Sequence, residues 1–173
     1  GNVHSAEVLL REELDVKYGE ANGQPLLVDV FRPADQKGKL PVVVYVHGGG
    51  WTGGNKKDFH SGARGLAKAG YVTFSVGYTL VRTNDVNNST RWPAQIDDVQ
   101  RAIRWIRSKA DEYQIDTNKI GAVGGSAGGH LVNLLGTIET RDNSDKALAK
   151  HSSKVQCVIN IFGPTDLTLD FTK

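Results

Sequence analysis

The stretch Lys119-Ile120-Gly121-Ala122-Val123-Gly124-Gly125-Ser126-Ala127-Gly128-Gly129-His130 decides the fold of this chain. Its first residues are small or β-branched, as in a strand that is buried on both faces. Gly124–Gly128 then fits G-x-S-x-G, in which a serine sits on a sharp turn between a strand and a helix. Leucines follow at helical spacing, so the sequence predicts a helix that begins at Ser126 and turns its free amide N–H groups toward the serine.

The same pattern has a second interpretation, which is a glycine-rich turn with an incidental serine. G-x-S-x-G by itself is a weak signal. A strand before the serine and a helix after it favour a reactive serine, and a second motif upstream supports that interpretation.

The composition is that of an ordinary globular protein. The 173 residues are 39% apolar and 23% charged, which predicts one domain over 1–173. The net charge is only +2 and no basic block occurs, so no nucleic-acid partner is expected. No apolar run is long enough for a membrane span, and no CxxC or HExxH spacing favours a metal. Cys157 lies in an apolar run and is predicted to be a buried core thiol. The compartment stays open, with a secreted or periplasmic location favoured over the cytoplasm.

Hydrophobic periodicity predicts alternating strands and helices. Residues 7–18 predict an edge strand that turns at Asn22-Gly23 into a returning strand over 26–31. The further predicted elements are a central strand over 40–46, a helix capped by Asp58 and running to Lys68, a strand over 71–78, a long helix after Pro93, the strand and helix around Ser126, and a last strand over 155–162. Because strands alternate with helices from residue 40 onward, we expect a mostly parallel sheet with helices on both faces.

Two sets of polar residues are assigned to the surface. The first set lies on the long helix and predicts a solvated face: Arg101, Arg104, Arg107 and Lys109. The second set is three histidines in polar contexts, which predict exposed side chains: His4, His60 and His151.

The second motif is His47-Gly48-Gly49-Gly50, which follows the predicted central strand. A glycine loop at this place can bring backbone N–H groups close to the negative oxygen of a tetrahedral intermediate, as the HGGG loops of esterases do. A phosphate-binding loop and a plain turn are the alternatives. The GxxxxGK[ST] pattern of a P-loop is absent.

Four motifs occur together in a characteristic order: His47-Gly48-Gly49-Gly50-Trp51, Pro93-Ala94-Gln95-Ile96-Asp97-Asp98-Val99, Gly124–His130, and Phe162-Gly163-Pro164-Thr165-Asp166-Leu167. Together they resemble the α/β-hydrolase fold, and more narrowly the esterase and lipase branch related to hormone-sensitive lipase and to bacterial feruloyl and acetyl xylan esterases. The resemblance covers nearly the whole chain. It implies a mostly parallel central sheet whose C-terminal strands are missing, so that the chain looks like the N-terminal two-thirds of such a protein.

The resemblance implies a role for each residue of the two loops. Ser126 would be the nucleophile that forms an acyl-enzyme. The amides of Gly49, Gly50 and Ala127 would form the oxyanion hole, and Trp51 would line the floor of the substrate pocket.

The same resemblance implies that part of the catalytic machinery lies elsewhere. In this fold the nucleophile is followed along the chain by Asp or Glu and then by His. His47 is expected to hold the loop, and His130 to point away from the attacked side of Ser126. Asp166 comes one strand too early to be the acid. We therefore expect the catalytic acid and histidine outside this segment.

The implied function is a serine carboxylic-ester hydrolase, of the carboxylesterase, acetyl xylan or feruloyl esterase kind, that needs no cofactor. Its substrate would be a small-molecule or polysaccharide-linked acyl ester. A non-catalytic ligand-binding module of the same fold and an arylformamidase-type amide hydrolase stay open as alternatives. Val155–Phe162 is apolar nearly throughout and is expected to need a partner along its edge: the remainder of the polypeptide, a second fragment or a second copy.

Overall fold

A computed structural model describes residues 7–168 of the chain. Its six strands are β1 (Leu10–Ala21), β2 (Gln24–Pro33), β3 (Leu40–Val46), β4 (Val72–Val76), β5 (Ile115–Gly125) and β6 (Cys157–Ile161). They form one sheet in the order β1-β2-β4-β3-β5-β6. β2 pairs antiparallel with both β1 and β4, whereas all pairs among β4, β3, β5 and β6 are parallel. The predicted hairpin and the mostly parallel sheet are confirmed.

Helices cover both faces of this sheet, as predicted. They are a 3₁₀ helix (Lys56–Phe59), α1 (His60–Lys68), α2 (Ala94–Ser108), α3 (Ala110–Tyr113) and α4 (Ala127–Thr137). Ile103 of α2 and Leu131 of α4 pack into a large core on one face. On the other face, Ala63 of α1 packs against Phe31 and Tyr45. The longest described helix, α2, has 15 residues, and no described helix is long and apolar enough to cross a membrane.

The first helix begins earlier than predicted. Asn55, and not Asp58, caps the 3₁₀ helix, because the Asn55 side chain accepts a hydrogen bond from the Lys57 amide at 3.0 Å. Asp58 completes a capping box by accepting from the Asn55 amide at 2.9 Å. The prediction chose the acidic partner of this reciprocal pair and placed the helix start three residues too late.

The arginines of α2 do not form a solvated face, so that prediction was wrong. Arg104 is 8% exposed and donates to the carbonyls of Asp142 and His151, at 2.7 and 2.8 Å. Arg107 donates to the carbonyl of Lys154 at 2.7 Å. The polar segment over 139–154 therefore folds back onto α2, and the arginines bind its backbone instead of facing water.

β6 is the least covered strand of the sheet. Among the described residues it pairs only with β5, and Cys157 is exposed, which contradicts the predicted buried thiol. The side chains of Ile159 and Phe162 are 54% and 83% exposed. The predicted strand is present, and α4 packs on one face of it, where Val158 contacts the core, but Cys157, Ile159 and Ile161 stay exposed.

Candidate active site

Ser126 lies on a strained turn between β5 and α4. Its backbone has φ 53° and ψ −121°, a combination that non-glycine residues rarely adopt. Two hydrogen bonds hold this geometry: the Ser126 amide donates to the Ile161 carbonyl at 3.0 Å, and the His130 amide donates to the Ser126 carbonyl at 3.1 Å. The strand, turn and helix predicted from G-x-S-x-G are thus present.

Close backbone packing explains the glycine at position 128. A Cβ there would overlap the carbonyl oxygen of Val46 and lie 2.6 Å from that of His47. The first turn of α4 therefore rests directly on the end of β3, where the glycine loop begins. Gly48 lies so close to the elbow that a Cβ on it would be 3.3 Å from the Ser126 Cβ. The packing brings the two loops of the predicted site together.

The glycine loop closes in a tight turn. The amides of Thr52 and Gly53 both donate to the Gly49 carbonyl, at 3.1 and 2.9 Å. Gly49 has φ 112°, and a Cβ on it would overlap the Gly53 backbone, so only glycine fits there without movement. Trp51 also has a positive φ, at 61°, which is uncommon for a bulky residue.

The amides of Gly49, Gly50 and Ala127 donate to no acceptor within residues 7–168. Ala127 is the first residue of α4, where an amide has no partner inside the helix. Three unpaired donors on the two loops beside Ser126 make an arrangement that could bind a negative oxygen. The roles assigned to them from the sequence stay predictions.

His47 is enclosed below the glycine loop. Its ring is 2% exposed and stacks on Tyr78 with centroids 4.3 Å apart. Its Nδ1 donates to the Gly48 carbonyl at 2.7 Å, and the Tyr78 hydroxyl donates to the His47 carbonyl at 2.8 Å. Burial lowers the pKa of His47, so the ring is held neutral. These contacts fit the expected role of holding the loop.

Trp51 belongs to an aromatic cluster with His130 and Trp92. The Trp51 and Trp92 rings lie 5.5 and 5.3 Å from the His130 ring. The Trp92 side chain is 52% exposed, whereas the Nδ1 of His130 is buried without a hydrogen-bond partner among the described residues. Burial also lowers the pKa of His130. The imidazole is enclosed by indole rings and makes no hydrogen bond to the Ser126 hydroxyl.

No catalytic triad forms within residues 7–168. There, the Ser126 hydroxyl makes no hydrogen bond, and the His151 carbonyl serves to hold Arg104. The Asp166 carboxylate accepts hydrogen bonds from the side chain and the amide of Thr168, at 2.6 and 2.9 Å, which lower its pKa. The described residues thus supply the serine and amide donors, without a paired acid and base.

The sequence patterns did not predict a buried ionic cluster on the face of the sheet that is opposite to α4. Asp29 of β2 is fully buried and binds Lys56 and His60. His60 was predicted to be exposed, and that prediction was wrong; His4 lies outside the described residues. The available signal was a single carboxylate in the otherwise apolar run Leu26-Leu27-Val28-Asp29-Val30-Phe31.

A cavity of about 880 Å³ lies beside the glycine loop, on the side away from β5. Its walls are the tip of the β1–β2 hairpin, His47 with Thr52–Lys56, and the segment after β4. The wall residues with amide or hydroxyl side chains include Asn22, Gln24, Thr52, Asn55, Thr79, Asn84, Ser89 and Thr90. These side chains share the wall with apolar ones, among them Leu26, Leu27, Leu80 and Val81, so the lining is mixed.

Comparisons with known proteins place the chain in a family and agree with its fold. The BD-FAE family model matches residues 28–172. The chain is 32% identical over 157 residues to the probable carboxylic ester hydrolase LipM of Mycobacterium tuberculosis, a match that covers 89% of this chain and 35% of LipM. The chain thus spans about a third of the length of this curated relative.

Solved structures of an esterase from Thermogutta terrifontis share the fold. The butyrate-bound form of this esterase, Est2, has a TM-score of 0.77 and 26% identity, over 91% of this chain and 54% of that one. The form phosphorylated by paraoxon has a TM-score of 0.71 and 27% identity, over 85% of this chain and 55% of that one. Because the family match extends over most of the sequence and the fold recurs in these structures, the chain belongs to the BD-FAE family and is built on the α/β-hydrolase fold.

Proposed function

We propose that this chain carries the nucleophile and the oxyanion hole of a serine carboxylic-ester hydrolase. The observation that carries the proposal is the strained turn at Ser126 beside the unpaired amides of Gly49, Gly50 and Ala127. The names of the relatives support ester hydrolysis. The reaction of the Thermogutta esterase with paraoxon supports an activated nucleophile, since organophosphates phosphorylate such groups.

The proposed reaction has two balanced halves. The Ser126 hydroxyl oxygen bonds to the ester carbonyl carbon while its proton passes to a base, and the carbonyl oxygen becomes an oxyanion. The C–O bond to the leaving alcohol then breaks, and the alcohol takes up the proton to leave an acyl-enzyme. Water, deprotonated by the same base, bonds to the acyl carbon; the bond from that carbon to the Ser126 oxygen then breaks, and the base returns the proton to this oxygen as the acid leaves. We propose that the base and its acid partner lie outside residues 7–168.

The oxyanion hole supplies the main electrostatic stabilisation. An amide placed about 3 Å from the developing oxyanion contributes about 3–4 kcal/mol to the transition state. The Ala127 amide benefits further from its place at the N-terminus of α4, where the helix dipole favours negative charge. Gly49 and Gly50 would bind the same oxygen from the opposite side of the cleft.

The finer substrate class that we propose is an acyl ester of a carbohydrate, such as an acetylated or feruloylated polysaccharide. It is supported by the cavity beside the glycine loop, where amide and hydroxyl side chains could hydrogen-bond a sugar and apolar side chains could pack against its ring. The acyl group would be short or aromatic, with Trp51 and Trp92 as apolar walls. Replacing Gln24 and Asn84 by Ala should raise KM for acetylated xylan and leave KM for p-nitrophenyl acetate unchanged.

The central experiment is Ser126→Ala in the complete polypeptide. Hydrolysis of p-nitrophenyl acetate should fall at least about 10³-fold, and a fluorophosphonate probe should label Ser126 in the parent but nothing in the variant. Ser61→Ala, which removes an exposed hydroxyl on α1 outside the glycine loop, the elbow and the cavity, is the matched control and should keep the parental rate.

The alternatives give different outcomes in the same assays. A parent protein that is inert toward the fluorophosphonate and toward every ester would be a binding module of this fold. Faster turnover of an arylformamide than of aryl esters would identify an arylformamidase. Parental activity in Ser126→Ala would overturn the proposal.

A further inference from the structure

We propose that the cluster of buried Asp29 and Lys56 with partly buried His60 and exposed Asp15, here called the Asp29 anchor, is a positioning device that fixes the glycine loop of the oxyanion hole. The proposal rests on the function proposed above. It assigns these residues a role in catalysis that acts through the glycine loop and not through contact with the reacting atoms.

The Asp29 carboxylate is completely surrounded by donors. Its two oxygens accept from the Lys56 ammonium at 2.7 and 2.8 Å, and Oδ2 contacts the His60 Nε2 at 2.6 Å. The Asp15 amide donates to Oδ1 at 2.8 Å, from an irregularity in β1 where Asp15 has φ 56°. The third ammonium contact of Lys56 is to the Asp15 carboxylate, at 2.7 Å. Every strong donor and acceptor of the pair is therefore used.

The anchor reaches the glycine loop through the Lys56 backbone. Lys56 follows Gly54 by two residues, and Gly54 packs against the start of the loop. A Cβ on Gly54 would overlap the Gly48 carbonyl oxygen and lie 2.5 Å from the His47 Nδ1. The Lys56 carbonyl also accepts a hydrogen bond from the Ser75 hydroxyl of β4 at 2.5 Å. The position of Lys56 thus fixes the position of Gly54, and through it the contact between the end of the loop and His47-Gly48 at its start.

The chemistry of the cluster suits positioning better than stabilisation. A buried ion pair contributes little net stability, because desolvation offsets most of the attraction between its charges. Burial alone would raise the pKa of Asp29, but hydrogen bonds from Lys56, the Asp15 amide and His60 hold it below its usual value. Asp29 and Lys56 therefore stay charged, and their hydrogen bonds have a defined direction. An apolar contact at this place would restrict the position of the backbone less.

Small shifts of this loop should have large catalytic effects. Oxyanion donors act when they lie within about 2.7–3.1 Å of the oxygen, and a displacement of about 1 Å can lower a rate about 10²-fold. The Asp29 anchor lies on the opposite face of the sheet from α4, so its loss would move the glycine loop relative to Ser126 without disturbing the elbow.

The test is Lys56→Met in the complete polypeptide, with Arg104→Met as a matched control. Both residues are cations that are 8% exposed, but Arg104 binds the segment over 139–154 and not the glycine loop. We expect kcat for p-nitrophenyl acetate to fall at least about tenfold in Lys56→Met with KM within about twofold, and both to stay within about twofold in Arg104→Met. Amide hydrogen exchange over 47–56 should accelerate only in Lys56→Met, and this readout does not depend on activity.

A gentler variant keeps the test decisive if Lys56→Met does not fold. Asp15→Asn removes one charge from a residue at the exposed rim of the anchor, and Asn tolerates the positive φ of this position. It should lower kcat about two- to fivefold and accelerate exchange over 47–56 to a smaller extent.

The outcomes separate this inference from the proposed function. A parent protein without esterase activity or fluorophosphonate labelling would refute the proposed function, and the exchange data would still judge the anchor. An active parent whose Lys56→Met variant matches Arg104→Met in kcat and in exchange over 47–56 would overturn the inference. A change confined to KM would overturn it as well, because the anchor would then act on substrate binding.

Discussion

β4 and β6 are strands of equal length in the same sheet, but they meet very different environments. β4, Val-Thr-Phe-Ser-Val, is paired on both sides by β2 and β3, and all five residues are buried. β6, Cys-Val-Ile-Asn-Ile, pairs only with β5 among the described residues, and four of its five residues are exposed. Both sequences are typical of covered strands. The apolar composition of a strand therefore predicts that it should be buried, but its actual burial depends on the elements that pack against it.

The two parts of the candidate site differ in the same way. The glycine loop follows the central strand β3, whereas the turn at Ser126 contacts the exposed strand β6. The Ser126 amide donates to the Ile161 carbonyl at the end of β6, and a Cβ on Gly129 would lie 2.8 Å from the Cα of Gly163 just beyond it. The glycine loop is therefore attached to a fully buried part of the sheet. The turn at Ser126 packs against β6, which is mostly exposed.

The largest expected effect is on stability. Phe74→Ala in β4 should lower the free energy of unfolding by about 3–5 kcal/mol, because it leaves a cavity among fully buried neighbours. Ile159→Ala in β6 should lower it by less than about 1 kcal/mol in the 173-residue chain, because that side chain already contacts water. Urea unfolding of both variants measures this contrast. Equal losses would show that the two strands are equally covered in solution.

The second prediction applies the same contrast to single residues of the glycine loop. A Cβ on Gly49 would overlap the Gly53 backbone, whereas a Cβ on Gly50 meets nothing nearer than the Thr52 hydroxyl at 4.0 Å. Gly49→Ala should therefore lower kcat in the complete polypeptide about 10²-fold by displacing the donor. Gly50→Ala, which also has a positive φ, is the control for backbone strain and should cost less. An effect of Gly49→Ala on KM alone would mean that the loop only binds substrate.

Much of the fold was predictable because local patterns specify it. The apolar stripe of α2, the hairpin at Asn22-Gly23 and the elbow at Ser126 all follow from spacing and turn chemistry, and each is present. The two loops of the candidate site come at the ends of neighbouring parallel strands, so their meeting was also predictable.

What failed depends on partners that are distant in sequence. The predicted burial of Cys157 and of Arg104 is the reverse of what the structure shows. The thiol is exposed and the guanidinium is buried. Nothing near Arg104 in sequence indicates that the carbonyls of a segment some forty residues later will surround it. The burial of His60 likewise depends on Asp29, on another element. Pattern reasoning assigns environments one element at a time and cannot weigh such contacts.

The third prediction concerns association through the exposed edge. Within residues 7–168 the outer edge of β6 has no strand partner, and Ile159 and Ile161 are exposed, so the 173-residue chain should self-associate in a concentration-dependent way. Ile159→Lys should shift it toward the monomer, because a charge on this edge opposes pairing. Ile138→Lys is the matched control at an isoleucine that is 45% exposed beyond α4, and should change little. Light scattering that shows a folded monomer for the parent would contradict the prediction.

The smallest expected effect is a pH dependence that arises in the covered centre. Burial lowers the pKa of His47 from its ordinary 6.5, so the unfolded chain takes up a proton at a higher pH than the folded one. The stability that this neutral ring contributes is complete above the ordinary pKa and is lost as the pH falls through that value toward the folded pKa. Burial also lowers the pKa values of His130 and His151, so all three histidines act with the same sign.

The urea midpoint should therefore decrease between about pH 7.5 and about pH 5.5, a window above the range in which the carboxylates titrate. His47→Gln should reduce this slope, because the replacement removes one of the groups that bind a proton on unfolding. Ile159→Ala changes no titratable group on the exposed edge and should leave the slope unaltered. A midpoint that rises as the pH falls through this window would show that a group with a raised pKa dominates, and the buried, neutral state assigned to His47 would be wrong.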